Sequence, residues 1–330
     1  MNIGLDVGYS HVKAITGGKR PVIFPSVVGS PNEAGFSMDG QDADADIILL
    51  EPDHVRVGQG AIEQSRFLNQ RENRHWIDTP VWYDLAMAAL TELTSATVAD
   101  LFIVTGLPVA FYSDRKTVRD RLLGLHRVNR EGRRAQSLTV SECRVIPQPF
   151  GALIAAALNE RGQLVDQDLA TGNVGVIDVG GKTTNLLSVN RLREVGRETA
   201  SVNTGAWDAA RELNDWFKLN LPDKEFRSHE IMTALVTRKV RYYDERVDLS
   251  QQVASILAPM AEQVLAEASQ LWNGGAGLQA ILVSGGGALL LGEYVKRQFR
   301  HARVVDDPVF ANARGFFCFA QHLAAINSNQ

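Results

Sequence analysis

Two rhythms of hydrophobic and polar positions alternate along this chain of 330 residues. Short apolar runs rich in Val and Ile occur at Ile3–Val7, Val12–Ile15, Val22–Ser26, Val55–Gly58, Leu101–Thr105, Val140–Ile146, Val174–Val179, Leu186–Leu187 and Ala280–Ser284. Their length and the Gly, Pro, Asn or Asp residues that bound them predict strands. Leu101–Thr105 is apolar at nearly every position, as in a parallel sheet covered on both faces. Between these runs the apolar period lengthens to three or four. That period predicts helices at Ala61–Phe67, Pro80–Leu93, Phe150–Leu158, Thr204–Phe217, Val253–Trp272, Leu291–Phe299 and Gly315–Ile326. Pro80 suits a first helical turn, and Ser228 is a candidate N-cap for a helix beginning His229-Glu230-Ile231. Strands interleaved with helices make the chain α/β.

Two of the strand pairs are near copies. Ile3-Gly4-Leu5-Asp6-Val7-Gly8-Tyr9-Ser10 leads into a second apolar run, and Val176-Ile177-Asp178-Val179-Gly180-Gly181-Lys182-Thr183-Thr184 does the same. Each reads as strand, tight turn, strand. The polar stretch at residues 162–172 marks a boundary, so the expectation is two duplicated α/β domains: 1–162, with 311–330 packing back on it, and 163–310.

Composition narrows the function classes. The net charge is −4, so no global basic field draws the molecule to nucleic acid, and direct nucleic-acid binding is not expected. No apolar run is long enough to span a bilayer. An opening strand at the second or third residue leaves no room for a signal peptide, and the expected location is cytoplasmic, without a membrane partner. Cys143 and Cys318 are the only two cysteines; they read as buried thiols in a reducing compartment, with a disulfide as the alternative. No Cys/His spacing suits a metal. Residues 111–135 are dense in arginine, including 115, 119, 121, 127, 130, 133 and 134. They read either as the charged outer face of a helix followed by a turn at Glu131-Gly132, or as a subunit or polyanion contact. The acidic cluster Asp39, Asp42, Asp44 and Asp46 reads as an exposed excursion.

The candidate chemistry sits on the duplicated turns. An Asp closing a buried strand is costly unless it meets a cation, donors or water. Backbone N–H groups of Gly8, Tyr9 and Ser10 can form an anion-binding nest, with the Ser10 hydroxyl as a further donor and Lys13 in reach of a phosphate. The second turn offers Gly180, Gly181 and the hydroxyls of Thr183 and Thr184. Lys182 is either a phosphate ligand or a solvent-facing turn residue. Asp6 and Asp178 repel phosphate but can hold the waters of a hydrated magnesium ion or take a proton from an attacking water. Gly285-Gly286-Gly287 follows a buried strand and offers bare backbone to a base or ribose, and Gly205 could act similarly. It is neither a Walker nor a dinucleotide fingerprint.

In this order the motifs resemble the actin-like ATPase superfamily. Asp6-Val7-Gly8 with Lys13 is similar to its first phosphate motif, Pro147-Gln148-Pro149-Phe150-Gly151 to its first connecting helix, Asp178 to Thr184 to its second phosphate motif, Val283 to Gly287 to its adenosine motif, and Asn312-Ala313-Arg314-Gly315 to its second connecting helix. Phe24-Pro25-Ser26-Val27 and Thr105-Gly106-Leu107-Pro108 resemble the plasmid-segregation actins of the ParM/StbA type and their archaeal relatives. The resemblance implies an actin-like ATPase fold with ATP or ADP and Mg2+ in a cleft, polymerisation into a homopolymeric filament, hydrolysis that disassembles it, and a DNA-binding adaptor for plasmid segregation. It implies Asp6, Asp178 and Gln148 as catalytic residues, Asp6 and Asp178 as magnesium residues through water, and Gly205, Glu230 and Gly285 to Gly287 around the nucleoside. Gln148 stands where plasmid-segregation relatives often carry Glu, and Asn185 where the second phosphate motif often ends in Asp. A small-molecule kinase of the same superfamily and a cell-shape actin of the MreB type are the alternatives.

Overall fold

The computed structural model describes residues 1–30, 47–50, 53–65, 67–69, 74–130 and 133–328. The acidic cluster at Asp39 to Asp46 and the Glu131-Gly132 turn lie outside them. The chain divides into two units, Met1–Asp166 with Asn312–Gln330, and Gln167–Ala311.

In the first unit, the strand Asn2–Val7 runs antiparallel to His11–Thr16 and parallel to Val98–Leu107, which lies parallel to Gln136–Pro147. The described strands form one sheet in which Val22–Pro25 is at one end and Val28–Gly29 is next to the other end. Only Ser26 and Val27 separate those two strands, so the sheet must curl. The helix Pro80–Leu93 packs against strands from both ends of that order. Leu85, Met87, Leu90 and Leu93 have no exposed surface. A helix apolar on nearly every side is a core helix, and the curled sheet supplies its walls.

The final helix, Ala311–Ser328, covers the other face of this sheet, with Phe316 and Ala320 against Phe102 and Val104. Its approach is unusually close. A Cβ on Gly315 would stand 1.8 Å from the Gly151 carbonyl oxygen, and one on Gly4 would stand 2.0 Å from that of Ala313. These glycines are there for space, since any side chain would push two backbones apart.

The arginine-rich segment departs from the sequence reading. A short helix, Arg115–Leu122, is followed by a strand, Gly124–Arg130, antiparallel to Gln136–Pro147. His126, Val128 and Arg130 point inward and are buried, while Leu125 and Arg127 are exposed. An inward arginine hid the alternation. Arg130 pairs with Glu92, and Arg133 reaches the same carboxylate at 3.4 Å. Arg121 donates to the Ile77 carbonyl and lies over the Tyr83 ring, and Arg115 lies over that of Tyr112. These four arginines are fold contacts.

In the second unit, Asn173–Val179 pairs antiparallel with Thr184–Asn190 and parallel with Ala280–Ser284, which pairs with Ala302–Val304. Helices Ala206–Asn220, Ser228–Thr237, Ser250–Leu271 and Ala288–Gln298 bury a core around Leu213, Phe217, Leu257, Val264, Trp272 and Phe299. Ser228 is the first helical residue, not the cap. The Glu230 carboxylate reaches back to the Arg227 N–H at 2.9 Å instead. A hairpin, Lys239–Tyr242 with Glu245–Asp248, had no counterpart in the sequence reading. Cys143 and Cys318 are both buried free thiols. Among the described residues, no helix is long and apolar enough to cross a membrane.

Gly315→Ala should lower stability by about 1–3 kcal/mol or more, because a rigid backbone contact must open. Urea unfolding followed by circular dichroism checks it; an unchanged midpoint would remove the packing assignment.

Candidate functional site

The two hairpins match position for position. In the first unit Asp6 lies opposite Lys13 and Val7 opposite Val12, and the Gly8 N–H closes the turn on the His11 carbonyl at 3.2 Å. In the second, Asp178 lies opposite Asn185 and Val179 opposite Thr184, and the Gly180 N–H closes on Thr183 at 2.9 Å. Those N–H groups therefore hold the turns and are not phosphate donors, which corrects that part of the nest. A Cβ on Gly8 or Gly180 would come within 3.1 or 3.0 Å of the closing carbonyl. The glycines are needed for turn tightness.

Both carboxylates are buried, Asp6 at 2% exposure and Asp178 at 4%. A buried carboxylate must be met by donors. Asp6 accepts from Gln148 Nε2 at 3.0 Å on one oxygen and from Lys13 Nζ at 3.1 Å on the other. Asp178 accepts from Ser284 Oγ at 2.9 Å. Register explains the difference. Ser284 lies beside Asp178 on the adjacent parallel strand. In the first unit the adjacent strand pairs Leu5 with Thr105, which brings Gly106 beside Asp6 and leaves no hydroxyl there. The helix Gln148–Ala157 starts where Gln136–Pro147 ends, and this delivers Gln148 to Asp6. The sequence places Ser284 in the third glycine turn but does not mark it as the donor to Asp178.

Several residues named from sequence have other duties. Thr184 has no exposed surface and donates its hydroxyl to the Thr204 carbonyl at 2.9 Å, so it cannot offer that hydroxyl to a phosphate. The Tyr9 ring stacks on Trp76 at 4.9 Å, and burial pushes its phenol up to about 12, so the hydroxyl stays protonated. Ser10 Oγ shares a hydrogen bond with His11 Nδ1 at 2.9 Å. Asn185 is held by Ser201 Oγ at 2.6 Å. Gly205 is dictated by protein backbone, since its Cβ would stand 2.4 Å from the Gly181 carbonyl oxygen. The Ala206 and Trp207 N–H groups donate to the Gly180 and Gly181 carbonyls, docking a helix start under the turn. Glu230 has one oxygen on Lys224 Nζ and the other on the Arg227 N–H; the lysine first, then that N–H, hold its carboxyl below the usual range. Gly181, Lys182 and Thr183 remain half-buried at the turn.

The triple glycine splits into two kinds. Gly285 has φ +81°, and its Cβ would meet the Val179 carbonyl oxygen at 2.3 Å; a Cβ on Gly287 would meet the Val179 side chain at 2.2 Å. Gly286 is exposed, and a Cβ there meets nothing within 4 Å. Gly285 and Gly287 lock this turn onto the Asp178 strand, leaving Gly286 facing out. Among the described residues no cluster of three His, Cys, Asp or Glu could hold a metal. Each carboxylate, taken by itself, is an oxygen acceptor of the kind that suits the waters of a hydrated magnesium ion.

Comparison with known proteins places both halves. Residues 4–151 match a family model described as actin like proteins N terminal domain, and residues 176–297 match one described as archaeal actin homologue MreB-like, C-terminal. An archaeal actin homolog of Thermoplasma volcanium is 22% identical over 323 residues, 95% of this chain and 97% of that protein. The crystal structure of an archaeal actin homolog superposes with a TM-score of 0.81 at 21% identity, covering 98% of this chain and 99% of the other. A ParM from a 15-stranded filament of Clostridium botulinum gives 0.79 at 22%, covering 97% and 98%. An archaeal actin homolog in complex with ADP gives 0.78 at 22%, covering 97% and 99%.

Two outcomes follow from this geometry. Gly286→Val should leave the thermal midpoint within a degree or two and weaken nucleotide binding at least about tenfold, whereas Gly287→Val should cost stability through Val179. Calorimetric titration with ADP and a thermal melt separate them, and unchanged ADP affinity in Gly286→Val would remove that position from the ligand surface. The second concerns His11, which burial and then the Lys13 charge lower from 6.5 to about 4. Between those values the unfolded chain binds the proton and the folded chain does not, so stability falls as pH drops from about 6.5 toward 4. His11→Gln should flatten that slope; unfolding midpoints at pH 7 and 5 test it, and an equal slope in the variant would refute the assignment.

Proposed function

The chain belongs to the actin-like proteins, and from that premise we propose that it is a magnesium-dependent ATPase whose ATP form assembles into a filament of its own copies. The observation that carries this reading is the duplicated hairpin, each copy ending in a buried, donor-held carboxylate beside a glycine turn. Such turns suit phosphate: in the first unit Ser10 and Lys13 with the backbone of Tyr9, and in the second Gly181, Lys182 and Thr183, are the phosphate ligands of this reading. Gly286 faces the nucleoside. Asp6 in the first unit and Asp178 in the second each suit a water of a magnesium ion, which when bound would neutralise charge on the phosphate oxygens.

In the reaction, a water adds to the terminal phosphorus while the bridging oxygen leaves with its electron pair on ADP, and the surplus proton ends on the released phosphate. Gln148 is an amide and takes no proton at neutral pH. Its part is to orient the water, so the rate rests on positioning and charge stabilisation. Asp178, on the hairpin of the second unit, is the candidate proton acceptor. Unlike faces that meet head to tail without closing build open filaments. Loss of the γ-phosphate removes contacts that favour the assembling conformation. The similarity to a ParM that forms filaments supports self-assembly. A cytoplasmic setting and DNA segregation through an adaptor protein extend the same reading, since the chain's net charge of −4 offers no general affinity for nucleic acid.

Pelleting and electron microscopy with ATP and with ADP test the reading. Polymer should form with ATP and shrink with ADP; no polymer with ATP at any concentration overturns assembly. Asp178→Asn should retain the fold and lose at least about 100-fold in phosphate release. Release at the parent rate would exclude Asp178 from the reaction.

A further inference from the structure

We propose that Asp6 is a positioning residue for Gln148, fixing which end of the glutamine amide meets the attacking water. This rests on the hydrolysis reading above and assigns one of its steps. An ionised carboxylate only accepts hydrogen bonds, so the Gln148 amide must turn its nitrogen toward it. It does so, with Nε2 3.0 Å from Asp6 Oδ1. Lys13 Nζ occupies the other oxygen at 3.1 Å and fixes the carboxylate from its far side. Below the side chain, Gly106 supplies the floor: a Cβ there would stand 3.0 Å from Gln148 Cγ and 2.4 Å from the Phe316 ring. Gln148 is buried, at 9% exposure. With nitrogen pinned, Oε1 diverges from Asp6 and presents an acceptor, and no described residue donates to it.

The polarity decides the chemistry. An acceptor takes a hydrogen of the water and leaves an oxygen lone pair free to meet phosphorus. The reversed amide would donate to that lone pair and hold the water in the unreactive sense. Asp6 thus selects the productive face of Gln148, and the Lys13–Asp6 pair, conspicuous only as a cation near phosphate, becomes part of the same clamp. Gly106 is required because any side chain there would lift Gln148 off its seat.

The test is a double-mutant cycle at saturating magnesium and ATP with Asp6→Asn, Gln148→Ala and the pair, together with the Gln148 side-chain amide resonance in 15N-labelled protein, assigned by its loss in Gln148→Ala. Gln148→Ala should lower kcat about tenfold while ATP affinity stays within about threefold. If Asp6 acts through Gln148, the double variant should lose at least about tenfold less than the product of the single losses. The amide signal should be protected from exchange and should move when Asp6→Asn is made. Losses that multiply, or an amide signal that Asp6→Asn leaves in place, overturn the proposal. A parent protein with no turnover but with the Asp6-dependent amide signal sinks the hydrolysis reading while showing the clamp itself intact, so the two failures are distinguishable.

Discussion

A carboxylate that ends a buried strand cannot be left without donors, and much of the architecture follows from meeting that demand twice. The hairpin register sets what stands opposite each Asp, a lysine in one copy and an asparagine in the other. The adjacent parallel strand sets what stands beside it, glycine in one and serine in the other. Where the neighbour is glycine, the next strand must deliver its donor from a helix start, and Gln148 arrives there. The two copies therefore keep one backbone and satisfy the same electrostatic need by different chemistry.

Close backbone approach is the second constraint. Gly4, Gly151 and Gly315 let a helix lie almost on the sheet and on its neighbour. Gly205 does the same between a helix start and the second turn. These contacts leave the packed backbones no room for a side chain, and tight packing of this kind is what a site built from strand ends requires.

The sequence was most legible where pattern and chemistry agreed. Pro80–Leu93 was read to its observed ends, because Pro opens it and the apolar run closes it. The duplicated turns were visible as Asp-Val-Gly after an apolar run. Legibility failed where one residue carries two meanings. Arg130 turns inward against Glu92, so the strand holding it looked like a charged surface. Thr184 looked like a phosphate hydroxyl, but its inward side of the strand commits it to the Thr204 carbonyl. Three glycines in a row read as one ligand surface, although two of them answer to Val179. None of these distinctions is local. Each depends on which face of a strand a residue takes and what another element sets against it.

The first unit is discontinuous: its sheet face at Phe102 and Val104 is covered by a helix made of residues 311–328. During synthesis at roughly 5–20 residues per second, the second unit emerges whole while that face is still bare. The ribosome-bound chain thus carries an uncovered apolar sheet for the time it takes to make the intervening residues. Maturation of this sheet is timed by the emergence of residues 311–328, and nascent chains stalled before them would be the species that chaperones must hold.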